Sequence, residues 1–417
     1  MSISSRECAL KILYDIENGA YSDAAVKHGL SIPMEMADKR LITEIVYGVV
    51  ANRTRLDYIV KNYSNVPMRK ISYWVKNILR MGIYQMLFLD KIPPNAAVNE
   101  SVNLAKRYGH TGSVGFVNAV LRSVSNNGDV EYPKELSIYH SYPEWLVEMW
   151  IREYGEEAIE ELLVAGNKRI PITLRPNKLK TTVGELIQKL ESENVTTKLV
   201  GDMVEISGSG SIERLKAFTE GLCTVQGIPS ADTVKCLDPQ AGETVIDVCA
   251  APGGKTTYIA ECMNNNGQVV AMDRYAHKID IINKNCQRLG VDIVESIHHD
   301  SQRAFSKYIG QADRVLVDAP CSGLGNIGSK PDIKWRKLES DIEALEETQQ
   351  RILVSSDEYL KPSGVMVYST CTISKRENDD IVNWFCESNN YTKLYEKQYF
   401  PHVDGTNGFY IAKMRKN

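Results

Sequence analysis

Between residues 230 and 417 the chain alternates two rhythms, and this alternation narrows the folds open to it more than any other feature. Five short runs, "ETVIDVCA", "GQVVAMD", "DIVESIHHD", "DRVLVDAP" and "GVMVYSTC", are apolar and rich in β-branched residues. Helical stretches separate most of them: "GKTTYIAECM", "YAHKIDIINKNCQRLG" and "DIEALEETQQRILVSSDEYL". Strands buried on both faces need helices on both sides. This part is therefore expected to be an α/β, Rossmann-like domain built on a parallel, doubly wound sheet.

Residues 1–229 read differently. Residues 1–130 carry helical stripes, the first at Ala9, Leu10, Ile12, Leu13 and Ile16. "ADKRLITEIVYGVVANRTRLDYIVKNYS" reads as one long amphipathic segment. "SYWVKNILRMGIYQMLFL" is apolar nearly all round, which predicts the central helix of an all-α bundle. Pro93-Pro94 and Asn126-Asn127-Gly128 are the breakers. Residues 131–170 read as a helical linker. Residues 171–229 follow the order β-α-β-β-α-β, a small α+β, split βαβ (RRM-like) module, with Thr181 or Thr182 as the cap of its first helix. The predicted protein is thus multidomain.

Composition excludes some classes. No apolar run approaches the roughly 18 residues of a membrane span, so no membrane partner is expected. The first residues mix charges with apolar side chains and lack a signal-peptide core, which predicts a cytoplasmic protein. The nine cysteines are scattered and form no C-x-x-C, so neither a disulfide framework nor a bound metal is expected. The net charge of −4 hides an asymmetry: residues 1–130 hold 16 Lys+Arg against 11 Asp+Glu, and the remainder holds 33 against 42. A basic N-terminal part suits a domain that meets phosphates.

Ligands of a doubly wound sheet bind outside the carboxyl ends of its strands. After the first strand come Cys249, Ala250, Ala251, Pro252, Gly253, Gly254 and Lys255. Small residues admit a ligand close to the backbone, and a helix beginning near Gly254 turns its positive end toward it. Asp273, Asp300 and Asp318 follow the next three strands, and an acidic residue at the Asp273 position typically grips ribose hydroxyls. A P-loop would need glycine at position 249, which is Cys249, and the turn after this first strand carries no G-x-G-x-x-G. A nucleoside cofactor with little phosphate to hold is left, and S-adenosylmethionine fits.

Two thiols share that rim: Cys321 in "DAPCSGLG" and Cys371 in "YSTCTIS". The C5 carbon of cytosine is not nucleophilic until a thiolate adds at C6. Such chemistry needs a thiol, a carboxylate to hold the ring, a methyl donor and a second basic group. Asp318 suits the carboxylate's role. Spacing alone leaves open which thiol attacks.

"VIDVCAAPGGKTTYIAE", "DAPCSGLG", "KPDIKW" and "YSTCTISKREND" resemble the signature segments of the Sun/Fmu family of RNA cytosine-5 methyltransferases. "KRLITEIVYGVVANRTRLDYIV", "ILRMGIYQMLFLDKIPPNAAVNESVNLAKRYG" and "GFVNAVLRSV" are similar to a NusB-type RNA-binding domain. The resemblance implies that Cys371 is the nucleophile and that Cys321 assists release of the methylated base. It places the methyl donor against Cys249 to Lys255, with Asp273 on the ribose, Asp300 near the adenine and Asp318 at the reacting centre. It implies 16S ribosomal RNA, free or in a partly assembled small subunit, as substrate, with cytosine 967 as target. DNA is not expected. Pro331, Asp332 and Lys334 are expected to shape the site or touch RNA, and "PITLRPN", with Arg175 and Asn177, resembles a motif that precedes the catalytic core. Gly328-Ser329 stands where such chains usually carry a basic pair. The competing readings are the same chemistry on another RNA, such as transfer RNA, and a non-catalytic RNA-binding or assembly factor.

Overall fold

The computed structural model describes residues 3–127 and 130–417, so Gly128 of the predicted breaker lies outside the described residues. The chain divides into two compact units, 1–167 with 330–336, and 168–329 with 337–417.

The first unit is helical. Its centre is the Tyr73–Phe88 helix, started by Ser72, whose hydroxyl accepts from the Val75 amide. This helix is buried from Ile78 through Gln85, as its nearly continuous apolar sequence predicts. The charged residue in that buried stretch is Arg80. Its guanidinium makes a two-bond fork to Asp57 at 2.7 and 2.8 Å, and it also bonds Glu17 and, at 3.0 Å, Asn77 Oδ1. A buried cation is tolerated only when paired this fully. Gly48 lets the neighbouring helix approach, since a Cβ there would lie 1.9 Å from the Tyr84 ring. The long amphipathic segment folds as two helices, Met36–Ala51 and Arg53–Tyr63. Asn52 leaves helical geometry between them, and its side chain turns back to bond Gly48 O at 2.9 Å.

Residues 330–336 complete this unit and correct an expectation. Asp332 accepts from both the amide and the hydroxyl of Ser22. Trp335 Nε1 donates to Val50 O at 2.7 Å. Lys334 is fully buried, donating to Ala51 O at 2.8 Å and Asn167 Oδ1 at 2.7 Å. Burial pushes its ammonium well below the ordinary lysine range. The polar atoms of Asp332 and Lys334 are thus spent on protein groups.

The second unit opens with strands β1 (Ile172–Pro176), β2 (Thr196–Val200), β3 (Met203–Ser207) and β4 (Cys223–Val225), in the antiparallel order β2-β3-β1-β4. Leu174, Val204 and Ile206 pack on Leu186 and Leu190 of the Val183–Ser192 helix. Of the two predicted caps, Thr182 is the one used. It forms a capping box with Glu185, Thr182 Oγ1 accepting from the Glu185 amide and the Glu185 carboxylate from the Thr182 amide. The second predicted helix is reduced to short turns at Ile212–Arg214 and Lys216–Thr219.

The large sheet comprises β5 (Thr244–Asp247), β6 (Gln268–Asp273), β7 (Val294–His298), β8 (Ala312–Asp318), β9 (Leu360–Thr370), β10 (Tyr391–Tyr399) and β11 (Phe409–Lys416), ordered β10-β11-β9-β8-β5-β6-β7. The five predicted strands are its parallel part. The sheet is mixed, because β11 adds antiparallel to β9 and β10 antiparallel to β11. Strand order reverses between β5 and β8, which opens a crevice at their carboxyl ends. Among the described residues no helix is long and apolar enough to cross a membrane.

Thr182 is exposed and its cap bonds are local. Thr182→Ala is expected to destabilise the second unit by about 1 kcal/mol, read as a lower urea midpoint at unchanged slope.

Candidate active site

β8 carries Val315, Leu316 and Val317 through the core and delivers Asp318 at its end. Ser369 Oγ donates to Asp318 Oδ1 at 2.8 Å, and Lys255 Nζ donates to Oδ2 at 2.6 Å. The carboxylate is thereby fixed between the β5 turn and the end of β9. Lys255 Nζ also lies 5.2 Å from the centre of the Phe409 ring.

The two thiols meet in the same crevice. Cys321 Sγ and Cys371 Sγ are 3.3 Å apart. Their surroundings differ. The hydrogen bond from Cys321 draws the Cys371 thiol below the ordinary cysteine value despite burial, and Lys255 acts in the same direction. Cys321 is pushed well up, by that same bond and then by burial, with the Glu377 carboxylate adding to the effect. A cavity of about 600 Å³ has Lys255, Asp318, Cys371, Phe409 and Gln226 in its wall. Among the described residues its wall includes Cys371 and not Cys321.

A close backbone clasp holds the Cys371 loop. Gly325 N donates to Cys371 O at 3.0 Å, and Gly408 N donates to Gly325 O at 2.9 Å. A Cβ on Gly325 would stand 1.9 Å from Gly408 O and 2.8 Å from Cys371 O. Glu377, which the sequence reading passed over inside a charged run, anchors the Cys321 side. It is fully buried, accepting from Ser322 N at 2.8 Å and Gln349 Nε2 at 3.1 Å.

The small-residue turn follows β5. Gly253 takes φ +98°, and the Gly254–Cys262 helix begins directly after it. Asp273 accepts from the amides of Ala251 at 3.2 Å and Tyr275 at 3.0 Å. Each carboxylate oxygen keeps a further lone pair, as a grip on paired hydroxyls requires. Asp300 is half-exposed at the end of the neighbouring strand. An acceptor pair, a turn free of bulky side chains and a helix N-terminus fit a nucleoside cofactor carrying an amino-acid tail. Cys249 is held well above the ordinary thiol value by burial and by Asp247, Asp318 and Asp273. Among the described residues no cluster of His, Cys, Asp or Glu could hold a metal.

Arg175 and Asn177 join the small module to helices beside the large sheet. Arg175 donates to Gly254 O at 2.8 Å and Glu261 Oε1 at 2.6 Å, and Asn177 Nδ2 donates to Leu289 O at 2.7 Å. Of the loop that lacks the basic pair, Ser329 bonds Asn407 at 3.2 Å, and Lys330 is paired with Asp23 at 2.9 Å.

The chain matches the family model described as 16S rRNA methyltransferase RsmB/F over residues 234–415. It matches the NusB family over 3–126 and the ferredoxin-like domain of the RsmF/B methyltransferases over 142–207. It is 38% identical to the probable ribosomal RNA small subunit methyltransferase B of Bacillus subtilis (strain 168), across 99% of both chains. The chain belongs to the ribosomal RNA small subunit methyltransferase B family. A family member from Photorhabdus laumondii is 32% identical over 91% of each chain. Among solved structures, PH0851 superposes along the whole of both chains at TM-score 0.85 and 27% identity. A methyltransferase homologue from Pyrococcus horikoshii covers 68% of this chain at TM-score 0.61 and 29% identity.

Asp247, at the end of β5, is buried with one oxygen bonded to Thr256 and the other unpaired. Burial pushes its carboxyl up to about 7. A raised acid is stabilised in its protonated form, so its favourable effect on folding is present at low pH and is lost as pH rises toward 7. Asp247→Asn is expected to gain on wild type over this interval, by at most about 4 kcal/mol, in urea melts run from pH 4 to pH 8. Gly325→Ala is expected to lower methyl transfer by at least tenfold while leaving the far-ultraviolet dichroism unchanged.

Proposed function

We propose that this chain methylates C5 of a cytosine in 16S ribosomal RNA, using S-adenosylmethionine and a covalent bond between Cys371 and the ring. Cytosine 967 is the position the family resemblance nominates. The observation that carries the reading is the placement of Cys371 in the cavity wall, 3.3 Å from Cys321, with the Lys255–Asp318 pair in the same wall.

The roles follow from the chemistry of each group. Cys371, drawn toward its thiolate, adds to C6 of the cytosine, and this addition makes C5 nucleophilic. Asp318 is held as an acceptor by Ser369 and Lys255 and suits the N3–H and exocyclic amine edge of the ring in the adduct. When bound, S-adenosylmethionine supplies an electrophilic methyl group. Cys249 to Lys255, Asp273 and Asp300 would hold it. Cys321 stands beside the sulfur that must leave and serves in removing the C5 proton, after which the C6–sulfur bond breaks and aromaticity returns. The target base must be unstacked, so a loop or an opened helix is the expected substrate. We further propose that 1–130, 131–170, 171–229 and 230–417 act as RNA-binding bundle, linker, joining module and catalytic domain.

With labelled donor and protein-free 16S ribosomal RNA, Cys371→Ala is expected to abolish transfer. Cys321→Ala is expected to accumulate a protein–RNA adduct, seen as a slower band on a denaturing gel. Exchanged phenotypes would reverse the two assignments, and transfer to transfer RNA alone would replace the substrate. The single-turnover rate of wild type is expected to rise with pH and level off below pH 9, the ordinary thiol value, because Cys371 is lowered.

A further inference from the structure

The helical unit contains a cavity of its own, of about 380 Å³, and nothing in the chemistry above uses it. Leu13, Ile16, Val49 and Val50 give it apolar walls. Polar groups line it as well: the buried Asn77, Arg80 and Asp332, and the partly buried Glu17. Asn77 is 1% exposed, and its Oδ1 accepts from Arg80, while its Nδ2 has no hydrogen-bond partner among the described residues. Glu17 gives one carboxylate oxygen to Arg80, and its other oxygen lies 4.0 Å from Arg53. Trp335 and the half-exposed Tyr73 are the aromatic members of the lining, and the Arg53 guanidinium stands 5.6 Å over the Trp335 ring.

These groups restrict the occupant. Burial opposes ionisation of Glu17, but Arg80 and Arg53 outweigh it and hold the carboxyl below its usual range. An ionised carboxylate accepts only, so a ligand must bring an N–H or O–H donor to it, and an anionic head there would be repelled. The Asn77 amide needs an acceptor beside that donor. The apolar walls and aromatic rings want a flat, desolvated body. A bare cation is disfavoured by Arg53 and Arg80. Arg53, whose sole carboxylate contact among the described residues is the 4.0 Å approach to Glu17, is placed to meet an anion attached to the body. A nucleobase meets each condition: it is flat, its edge sets donor beside acceptor, and its phosphate is the anion.

We propose that this cavity takes one unstacked nucleotide of the RNA substrate, its base edge on Asn77 and Glu17 and its phosphate on Arg53. The proposal rests on the RNA-methyltransferase reading. It adds a second point of RNA capture, remote in function from Cys371, which would fix the register of the strand by holding one base in a protein slot.

The test uses the full chain with protein-free 16S ribosomal RNA, and separately with the four free nucleoside monophosphates. Arg53→Ala removes the phosphate contact at the rim, Val49→Phe fills the slot, and Arg214→Ala removes an equal charge from an exposed position outside the helical bundle. Arg53→Ala and Val49→Phe are each expected to weaken RNA binding about tenfold, with the loss in KM rather than kcat, and Arg214→Ala to change it less than twofold. Short-wavelength ultraviolet irradiation is expected to crosslink RNA to the peptide holding Trp335, and Val49→Phe to suppress that crosslink. Arg53→Ala carries the test if Val49→Phe does not fold. Wild-type affinity in the folded variants would overturn the proposal. So would tight binding of a free monophosphate that leaves RNA affinity untouched, which would make this a metabolite site. Absence of methyl transfer by wild type would instead overturn the catalytic reading, and is measured independently of these affinities.

Discussion

A carboxylate and a reactive thiol in one desolvated crevice oppose each other. The negative charge of Asp318 raises the Cys371 thiol, and burial raises it further. The contact with Cys321 is the largest influence against them, and Lys255, paired with Asp318 at 2.6 Å, acts on Cys371 in the same lowering direction. A lysine at the first turn of the helix after β5 can reach both groups because β5 and β8 are neighbours in the sheet. Strand order, the glycine turn that aims this helix and the reactivity of the sulfur are thus linked through one ammonium group. The contact between the two sulfurs also sets them apart, lowering Cys371 and raising Cys321.

The scaffold serves this geometry by immobilising loops. The Cys371 loop is held through main-chain bonds to Gly325, which is itself bonded by Gly408 from the β10–β11 connection. The Cys321 loop is held by Glu377, whose carboxyl burial raises and whose neighbours Ser322 and Gln349 satisfy it. The antiparallel strands β10 and β11 therefore do more than widen the sheet, since the turn between them reaches back to the site.

Much of this was legible from the sequence, for physical reasons. Parallel strands buried on both faces must be apolar throughout, so β5, β6, β8 and β9 announced themselves, with the acids and thiols at their ends. β10 did not: "YTKLYEKQY" is an edge strand with most of its side chains in solvent, and it carries neither an apolar run nor a clean alternation. The break at Asn52 was hidden because neither proline nor glycine marks it, and a side-chain bond to Gly48 O does that work. Glu377 was hidden by its charged neighbours, for local sequence gives no sign that one acid in such a run is fully buried. "KPDIKW" was expected, from the family resemblance, to shape the site or contact RNA. Asp332 and Lys334 instead satisfy each polar atom with protein partners, which a motif seen without its three-dimensional neighbours does not disclose.

That seven-residue insertion has a consequence for how such a protein can change over time. Residues 330–336 are packed among helices made from the opposite end of the gene, so the bundle and the enzyme are not separable by a cut between codons 167 and 168. A lineage that lost the bundle would inherit an orphaned tryptophan, a bare buried lysine and an unsatisfied aspartate in the middle of its remaining domain. Exchange or loss of the helical part therefore demands at least two coordinated genetic events, and this topology makes the pair of units an inherited whole.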